Sequence, residues 1–360
     1  MSRLPVAATS MLIALLVSAP VVLLAVPFWI IAGATRLVHR AVTALKQRAA
    51  PWQQLIEYAP KVGWKPRPSM RTYAYADKPF YVTTDADGWR GSTTLTDSDV
   101  VVFGDSYAFG YGVSDDACFT ELSERVRIKP IGINGYNMVQ ELLWMRQLAP
   151  ELKSKLVIWF VYHGNDLYEN LQPNLGRYPM PYVRNGSDPD RWEIVTEHVA
   201  PRRWRGDVDR DYYRALAEIC TPATALSRRA FSACDYLLRE GRAVCDRAGA
   251  QLAVMSIPDV TQISDLHRKR LLAVAPEPDC LDTRLPDVRL GAACARLDVT
   301  FVPLYDHLRL EDHKLHDAHW NERGHRRVAR LIESLYAKRS AAVASAAAET
   351  PVGAHRISSA

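Results

Sequence analysis

Short apolar runs alternate with helical patterns through the middle of the chain. Five of these runs are typical of buried strands: Val100–Phe103, Pro130–Asn134, Leu156–Tyr162, Leu252–Ile257 and Val299–Val302. The segments between them predict helices at Phe119–Val126, Met138–Leu148, Ala225–Ala248 and Pro286–Leu297. This alternation predicts an α/β domain over residues 96–338, with one parallel sheet covered by helices on both faces.

The N-terminal part of the chain has a different pattern. Residues 4–35 include no charged side chain, and residues 11–34 are almost wholly apolar. This run is longer than the roughly 20 residues that a helix needs to cross a bilayer. We therefore expect an uncleaved membrane anchor over residues 1–35, with the lipid bilayer as the partner of residues 11–34. A cleaved signal peptide is the competing interpretation, and Pro20 and Pro27 would kink the helix or allow a re-entrant hairpin.

The side of the membrane is left open by the flanking charges and the cysteines. Four basic residues follow the anchor, which places the domain in the cytoplasm by the positive-inside rule: Arg36, Arg40, Lys46 and Arg48. The six cysteines form no Cys-x-x-Cys pair and are expected to be buried small hydrophobic residues. Cys280 and Cys294 could close a disulfide if the domain were exported.

Three regions flank or interrupt the α/β pattern. Residues 36–60 resemble an amphipathic linker helix, and a short strand pair follows, so residues 36–95 form a linker and strand extension. Residues 170–210 form a proline-rich insertion, which predicts either a substrate-binding lid that stacks on sugar rings or an irregular cover over a sheet edge. The aromatic residues of this insertion are Tyr178, Tyr182, Trp192 and Trp204. The Ala- and Ser-rich tail, residues 339–360, is predicted to be disordered.

Composition and charge exclude several classes of function. A chain of 360 residues that is 48% hydrophobic can bury one good core. The net charge of +5 is spread along the chain, so we expect no nucleic-acid partner. Gly104, Gly110 and Gly112 are followed by no Gly-Lys-Ser/Thr, and the Gly-x-Gly-x-x-Gly spacing is missing, so we expect no nucleotide cofactor.

Candidate chemistry lies directly after three of the predicted strands. Ser106 follows the first strand in Gly-Asp-Ser, where a nucleophile could stand, although Asp105 or Ser106 could simply cap a helix. An activated serine needs a base, a group that orients the base, and donors for an oxyanion. Gly135 could offer a backbone N–H and Asn165 a side-chain N–H. The alternatives are a plain turn for Gly135 and a helix cap for Asn165.

A histidine-rich loop near the C-terminus supplies a base. Asp317 and His319 lie two positions apart, so the carboxylate can bind one ring nitrogen while the other faces the serine. Zinc binding is the rival interpretation, and it would leave Ser106, Gly135 and Asn165 unexplained. Its ligands would come from His313, His316, His319, His325, Asp312 and Asp317. We expect no metal.

Four of these blocks together resemble a known family. They are Gly104-Asp105-Ser106-Tyr107, Asn134-Gly135-Tyr136, Gly164-Asn165-Asp166 and Asp317-Ala318-His319-Trp320. Their order and spacing over about residues 60–338 are similar to those of the SGNH hydrolases, also called GDSL-type esterases. The stretch from Trp64 through Asp-Gly-Trp-Arg to the serine resembles membrane-anchored bacterial members of that family.

The resemblance implies a three-layer α/β/α, flavodoxin-like domain with a catalytic serine. It implies that Ser106 is the nucleophile, His319 the base and Asp317 its orienting carboxylate. The N–H groups of Ser106 and Gly135, with the Asn165 side chain, would form the oxyanion hole. Many members have Asp-x-x-His, whereas Asp-x-His is more similar to the branch that contains alginate O-acetyltransferases.

These expectations combine into a membrane-anchored bacterial serine esterase, located at the inner membrane. We expect its substrate to be an acyl ester, an O-acetyl group on a carbohydrate. A polysaccharide O-acetyltransferase with the same catalytic residues is an alternative, as is a catalytically silent SGNH domain that binds glycan. A metallohydrolase ranks third.

Overall fold

The structure, a computed structural model, describes residues 52–186, 191–202, 212–315 and 317–349. The predicted anchor and the linker as far as residue 51 lie outside these ranges. Within the described ranges, no helix combines the length and the apolar character needed to cross a membrane.

Fifteen strands and ten helices make up the described part of the chain. The strands are β1 (Ile56–Ala59), β2 (Gly63–Pro66), β3 (Arg71–Tyr75), β4 (Pro79–Thr83), β5 (Val100–Gly104), β6 (Ile128–Gly132), β7 (Leu156–Tyr162), β8 (Asn174–Leu175), β9 (Tyr178–Pro179), β10 (Tyr182–Asn185), β11 (Trp192–Val195), β12 (Gln251–Ile257), β13 (Thr300–Pro303), β14 (His313–Lys314) and β15 (Asp317–Trp320). The helices are α1 (Trp52–Leu55), α2 (Ser106–Phe109), α3 (Met138–Leu148), α4 (Asp166–Glu169), α5 (Tyr212–Ile219), α6 (Ala225–Ala248), α7 (Val260–Ile263), α8 (Asp265–Leu272), α9 (Leu285–Arg296) and α10 (Glu322–Glu349).

The central element is a five-stranded parallel sheet in the order β13-β12-β7-β5-β6. Counted along the chain, this is the 2-1-3-4-5 order of flavodoxin-like folds. The predicted parallel α/β sheet is therefore confirmed, and all five strand predictions overlap the observed strands. The chain leaves β5 first to one side and then to the other, so the order of strands reverses next to β5.

Alternate residues of β5 pack into two separate hydrophobic clusters, one on each face of the sheet. Val101 and Phe103 pack in the cluster that includes residues of α3, α6 and α9. Val100 and Val102 pack in the cluster that includes residues of α2 and α10. All four side chains are fully buried, and each such burial stabilises the fold by about 1.5–3 kcal/mol. This arrangement gives the layers expected of an α/β/α domain.

The strand extension is a pair of antiparallel ribbons. β1 pairs with β2, and β3 pairs with β4. The prediction of a linker helix as far as residue 60 is wrong at its end, because α1 stops at Leu55 and residues 56–59 form β1. The strand is favoured there because it pairs with β2 and buries Ile56 and Ala59.

Two further predictions of secondary structure are corrected. Residues 119–126 form turns instead of a helix. Glu333 of α10 accepts hydrogen bonds from the N–H groups of Glu124 and Arg125, which gives these donors partners outside any helix. The tail is helical as far as Glu349 instead of disordered from residue 339. Alanine has the highest helix propensity, so the Ala-rich sequence extends α10.

The insertion consists of two short antiparallel ribbons. β8 pairs with β9, and β10 pairs with β11. Residues 187–190 and 203–211, which include Trp204, lie outside the described residues. The described part of the insertion forms regular paired strands instead of the irregular chain that was one of the two predictions.

Candidate active site

The candidate site lies at the carboxyl ends of β5, β6 and β7. Gly104 of β5 is the register partner of Gly132 of β6, and β7 flanks β5 on its other side. A side chain at position 132 would meet the carbonyl oxygen of Gly104, so glycine lets the two strand ends approach each other closely. Ser106 therefore stands at the reversal of strand order, where ligands bind in open α/β sheets.

A one-turn helix presents the candidate nucleophile. The Asp105 side chain caps α2 by accepting a hydrogen bond from the Tyr107 N–H, at 2.9 Å. Asp105 is therefore the cap, and the Ser106 Oγ lies 3.3 Å from its other carboxylate oxygen, Oδ2. The helix ends at Gly110 in the left-handed conformation, with φ of 74°. Ser106 is the first residue of α2, so its N–H has no acceptor within the helix.

Arg90 fixes the far end of this helix. Its guanidinium is 1% exposed and donates to the carbonyl oxygens of Phe109 at 2.8 Å and Gly110 at 2.6 Å. It also donates to the carbonyl oxygen of Val113 and to the carboxylate of Asp115. Arg90 thus supplies donors for carbonyl groups that a helix end leaves unpaired.

The structure brings Ser106, His319 and Asp317 together. The Ser106 Oγ lies 2.7 Å from the His319 Nε2. The His319 Nδ1 lies 2.5 Å from the Asp317 Oδ1. Asp317 and His319 both belong to β15, where the backbone N–H of His319 also donates to Asp317. These are the contacts of a nucleophile, a base and an orienting acid.

Two tyrosine rings hold the imidazole in position. The Tyr107 ring stacks on the His319 ring at 4.8 Å between centroids, and its hydroxyl donates to the Ala318 carbonyl at 2.8 Å. The Tyr111 ring approaches His319 at 4.7 Å, tilted by 56°. Tyr107 follows the nucleophile directly, so a single short segment places both the serine and one face of the base.

The charges around the imidazole define its tautomer. Burial raises the pKa of Asp317, but the charge and hydrogen bonds of His319 outweigh burial and hold that pKa well below its usual range. Asp317 is therefore ionised at neutral pH and can only accept hydrogen bonds. The proton of the neutral ring is on Nδ1, and Nε2 is left to accept the hydroxyl proton of Ser106.

Two opposing effects act on the pKa of His319. Burial lowers the pKa of His319, whereas the Asp317 carboxylate, aided by Asp105, raises it, and the net effect is a raised pKa. Burial raises the pKa of Asp105, against its hydrogen bond to Tyr107 and the charge of His319. A raised pKa strengthens His319 as a proton acceptor.

The two other oxyanion candidates lie in the loops that follow β6 and β7. Gly135 is buried with φ of 79° in a turn closed by the Tyr136 N–H and the Ile133 carbonyl. Asn165 occupies the N-cap position before α4, but its side chain makes no capping hydrogen bond. Its Nδ2 points instead to the Tyr136 carbonyl, at 3.4 Å. Asn165 therefore links the two loops beside Ser106.

The aromatic residues of the insertion are placed differently from the expectation. Tyr178 and Trp192 are buried in the hydrophobic core, and the Trp192 indole N–H donates to the Ser232 hydroxyl at 3.0 Å. Little of either ring is exposed, so neither face is open to stack on a sugar in this structure, although Tyr178 also lines a cavity beside Tyr58 and Trp64. Tyr182 is half-buried and packs edge-on against His198.

The histidine cluster does not converge in the described structure. The His313 Nδ1 lies 2.9 Å from the Arg309 carbonyl, and His325 stacks on Phe119. Among the described residues, which exclude His316, no group of three or more His, Cys, Asp or Glu is arranged to hold a metal ion. The six cysteines are free thiols, so the conditional pairing of Cys280 with Cys294 is not formed.

Sequence reasoning did not single out three side chains that lie around the site: Arg90, Tyr111 and the buried Lys314, whose Nζ donates to the Gly112 carbonyl oxygen. Arg90 is the last residue of the Asp-Gly-Trp-Arg stretch. A charged side chain directly after a turn and a tryptophan was a usable signal, because an apolar residue would be expected where the chain packs. Tyr111 and Lys314 carry no comparable signal, because single tyrosines and lysines occur throughout the sequence.

Comparison with known proteins gives only distant likenesses. No family model matches the chain, and no curated protein matches it. It is similar to the crystal structure of a GDSL-like lipase from Bacteroides thetaiotaomicron, with 12% identity, 69% of this chain and 92% of that chain covered, and a TM-score of 0.40. It is also similar to the crystal structure of a Bacteroides fragilis protein described as an acylhydrolase. The identity is 14%, 69% of this chain and 91% of that chain are covered, and the TM-score is 0.39. The crystal structure of a Lactobacillus plantarum protein has 14% identity, with 67% of this chain and 97% of that chain covered and a TM-score of 0.38.

Proposed function

We propose that this chain is a serine ester hydrolase of the SGNH type, which works through an acyl-Ser106 intermediate. The observation that carries the proposal is the contact of the Ser106 Oγ with the His319 Nε2 at 2.7 Å, backed by Asp317. This contact supports the proposal because the three residues come from two distant parts of the sequence and meet where the order of strands reverses.

In the first half of the proposed reaction, Ser106 Oγ attacks the ester carbonyl carbon while His319 Nε2 takes the hydroxyl proton. The carbonyl oxygen becomes an oxyanion that accepts hydrogen bonds from the N–H groups of Ser106 and Gly135 and from Asn165. As the tetrahedral intermediate collapses, His319 gives its proton to the leaving alkoxide. An alcohol departs, and the acyl group stays on Ser106.

In the second half, a water molecule replaces the alcohol. His319 takes a proton from the water, whose oxygen attacks the acyl carbon. Collapse releases the carboxylic acid and returns the proton to Ser106 Oγ. The side chains of His319 and Asp317 are 20% and 28% exposed, so water can reach the base. Water can therefore serve as the second nucleophile in the proposed hydrolysis.

Substitution of the serine tests the proposed role. Ser106→Ala should lower kcat for p-nitrophenyl acetate hydrolysis by about 10⁴-fold or more, with the thermal unfolding transition retained. Ser114→Ala is the matched control, because Ser114 lies eight positions on and its hydroxyl accepts the Tyr81 N–H instead of contacting His319. Retention of more than roughly a tenth of the activity in Ser106→Ala would remove Ser106 from the mechanism.

We further propose that the natural ester is an O-acetyl group on a carbohydrate. Support comes from the family resemblance and from two exposed aromatic rings on the β3–β4 ribbon. Tyr73 and Tyr81 are register partners and are 43% and 68% exposed. The inner face of the same ribbon packs on the site, where the Phe80 ring meets Tyr111 at 5.6 Å. Tyr81 follows Phe80 on β4, so it and its partner Tyr73 lie on the outer face of the ribbon, where exposed aromatic rings suit sugar rings.

An O-acetyltransferase would share the acyl-Ser106 step and differ only in the second half, so the Asp-x-His spacing keeps it as the second candidate. The ratio of acetyl transferred to a glycan over acetate released to water separates the two reactions. Acetate as the main product supports the hydrolase, and acetylated glycan as the main product replaces it with the transferase.

The membrane assignment is a proposal as well. Residues 11–34 would hold the enzyme on a bilayer, in keeping with their apolar composition. Fractionation of cells expressing the full chain should recover it with membranes, and a fusion to alkaline phosphatase after Arg48 would report the side. Recovery of the full chain in the soluble fraction would refute the anchor.

A further inference from the structure

Lys314 is a buried cation that the proposed reaction does not use. Its side chain is 3% exposed, and a buried ammonium group must be paired to offset the loss of water. Its Nζ lies 2.7 Å from the Asp77 Oδ1 and 2.7 Å from the Gly112 carbonyl oxygen. These two contacts come from different parts of the chain.

Lys314 and its two partners belong to three different segments around the triad. Lys314 lies on β14 and is the register partner of Asp317, on the strand that carries His319. Gly112 lies just after the nucleophile helix, and a side chain there would meet the Lys314 Cε. Asp77 lies in the turn between β3 and β4. One ammonium group therefore joins the acid–base hairpin, the nucleophile loop and the strand extension.

We propose that the Asp77–Lys314 ion pair positions the β14–β15 hairpin against Ser106, which makes the strand extension a working part of the active site. This inference rests on the proposed function. Lys314 and Asp77 are positioning residues, since they act on the substrate only through Asp317 and His319.

The charge of Lys314 also acts on His319. The ion pair therefore has an effect that can be measured, a change in the pKa of His319. The Lys314 charge lowers the pKa of His319, in opposition to Asp317 and Asp105. Asp77 lies 2.7 Å from that charge and partly neutralises it. Burial raises the pKa of Asp77, but the hydrogen bond and charge of Lys314 prevail and lower it, so Asp77 is ionised at neutral pH.

Other groups act on His319 or lie beside it. They are Asp317, Lys314 and His313 on the hairpin, Asp105, Ser106 and Tyr107 at the nucleophile turn, Tyr111 after it, and His325 on α10. Replacing only Lys314 or Asp77 leaves all these other groups in place, so a change in titration reports on the pair.

The test measures kcat/KM for p-nitrophenyl acetate against pH in Lys314→Met and in Asp77→Asn. Lys314→Met removes a cation, so the acid limb should move to higher pH. Asp77→Asn leaves the cation without its partner, so the acid limb should move to lower pH. In both variants kcat should fall by about 10- to 100-fold, because a small misplacement of the base is costly. Opposite shifts are not expected of a purely structural role.

Lys78→Met is the matched control. Lys78 lies next to Asp77 and forms an exposed ion pair with Glu322, so its removal should leave both kcat and the acid limb unchanged. A second measurement is independent of turnover: NMR titration of the His319 ring should show the same opposite shifts. If Lys314→Met does not fold, Asp77→Asn still tests the inference, because asparagine is nearly isosteric with aspartate.

Coincident pH profiles, or shifts of both variants in the same direction, would overturn the inference. That failure is distinct from failure of the proposed function. If Ser106→Ala is inactive while Asp77→Asn behaves as wild type, only the positioning role falls. If Ser106→Ala keeps full activity, the proposed function falls and this inference with it.

Discussion

Ser106 Oγ and His319 Nε2 lie 2.7 Å apart although 213 positions separate them in the sequence. The parallel sheet brings Ser106 to one strand end, and the β14–β15 hairpin returns His319 to the same edge. Asp317, two residues before the histidine, completes the contact from the same strand. Each prediction below changes one part of this arrangement.

The pH dependence of catalysis should report the protonation of His319. The base must be neutral to take the serine proton, and its pKa is raised above 6.5 because Asp317 outweighs burial. Activity should therefore be lost as the pH falls through a midpoint above 6.5, and it should be retained as the pH rises. The measurement is kcat/KM against pH. A midpoint below 6.5 would contradict the assigned electrostatics.

Asp317→Asn should lower kcat by about 10⁴-fold while leaving the fold intact. The amide removes the charge that stabilises the protonated base and no longer fixes the ring proton on Nδ1. The acid limb should also move to lower pH, because the largest influence that raises the His319 pKa is gone. Asp306→Asn is a control, since Asp306 pairs with Arg284 on the surface. Activity near that of wild type in Asp317→Asn would show that His319 needs no carboxylate.

Asn165→Ala should lower kcat by about 100- to 1,000-fold, with little change in KM, because one oxyanion donor is lost. The matched control is Asn170→Ala, a second buried asparagine whose side chain points to the Cys234 sulfur instead of the site. Steady-state kinetics on both variants, with urea unfolding, separate catalysis from stability. Equal losses in the two variants would indicate a structural role.

Arg90→Met should destabilise the domain by about 3–5 kcal/mol, because it leaves Asp115 and three carbonyl groups without their buried donor. Arg127→Met is the control, since the Arg127–Asp99 pair is exposed and screened by water, so its loss should have little effect on stability. The measurement is the free energy of unfolding in urea. A loss no larger than that of the control would mean that Arg90 does not hold the nucleophile helix.

Replacing Tyr73 and Tyr81 together by alanine should weaken activity on an acetylated oligosaccharide and spare p-nitrophenyl acetate. The small ester needs only the serine and the oxyanion donors, whereas the sugar would also need the aromatic rings. Tyr58→Ala serves as a control, because Tyr58 is 37% exposed on the neighbouring β1–β2 ribbon. Equal losses on both substrates would assign the tyrosines to folding, and no loss on either would place the sugar elsewhere.

The sequence predicted the sheet well because its strands are buried on both faces. Such strands read as continuous apolar runs, and Leu156–Tyr162 was predicted with the observed bounds. Helices with strong apolar patterns, such as Ala225–Ala248, were equally clear. The segment 119–126 failed because a side chain from α10, remote in sequence, satisfies its backbone donors. No local pattern could reveal that contact.

The candidate catalytic residues were predictable because each follows a recognisable strand or loop signal. The support around them was not, since Arg90, Tyr111 and Lys314 act through tertiary contacts. The aromatic residues of the insertion show the opposite error: composition suggested a binding surface, but Tyr178 and Trp192 pack in the core. Amino-acid type identifies a side chain that can stack on a sugar, and only the fold decides whether its face is available.

The most direct test of the account is covalent labelling of the serine. The purified protein is treated with a fluorophosphonate, and the modified peptide is mapped by mass spectrometry. We expect one label on Ser106, none in Ser106→Ala, and much slower labelling in His319→Ala, because the hydroxyl is activated by the imidazole at 2.7 Å. Absence of label on Ser106, or labelling at an unchanged rate in His319→Ala, would contradict an activated serine and favour a silent binding domain.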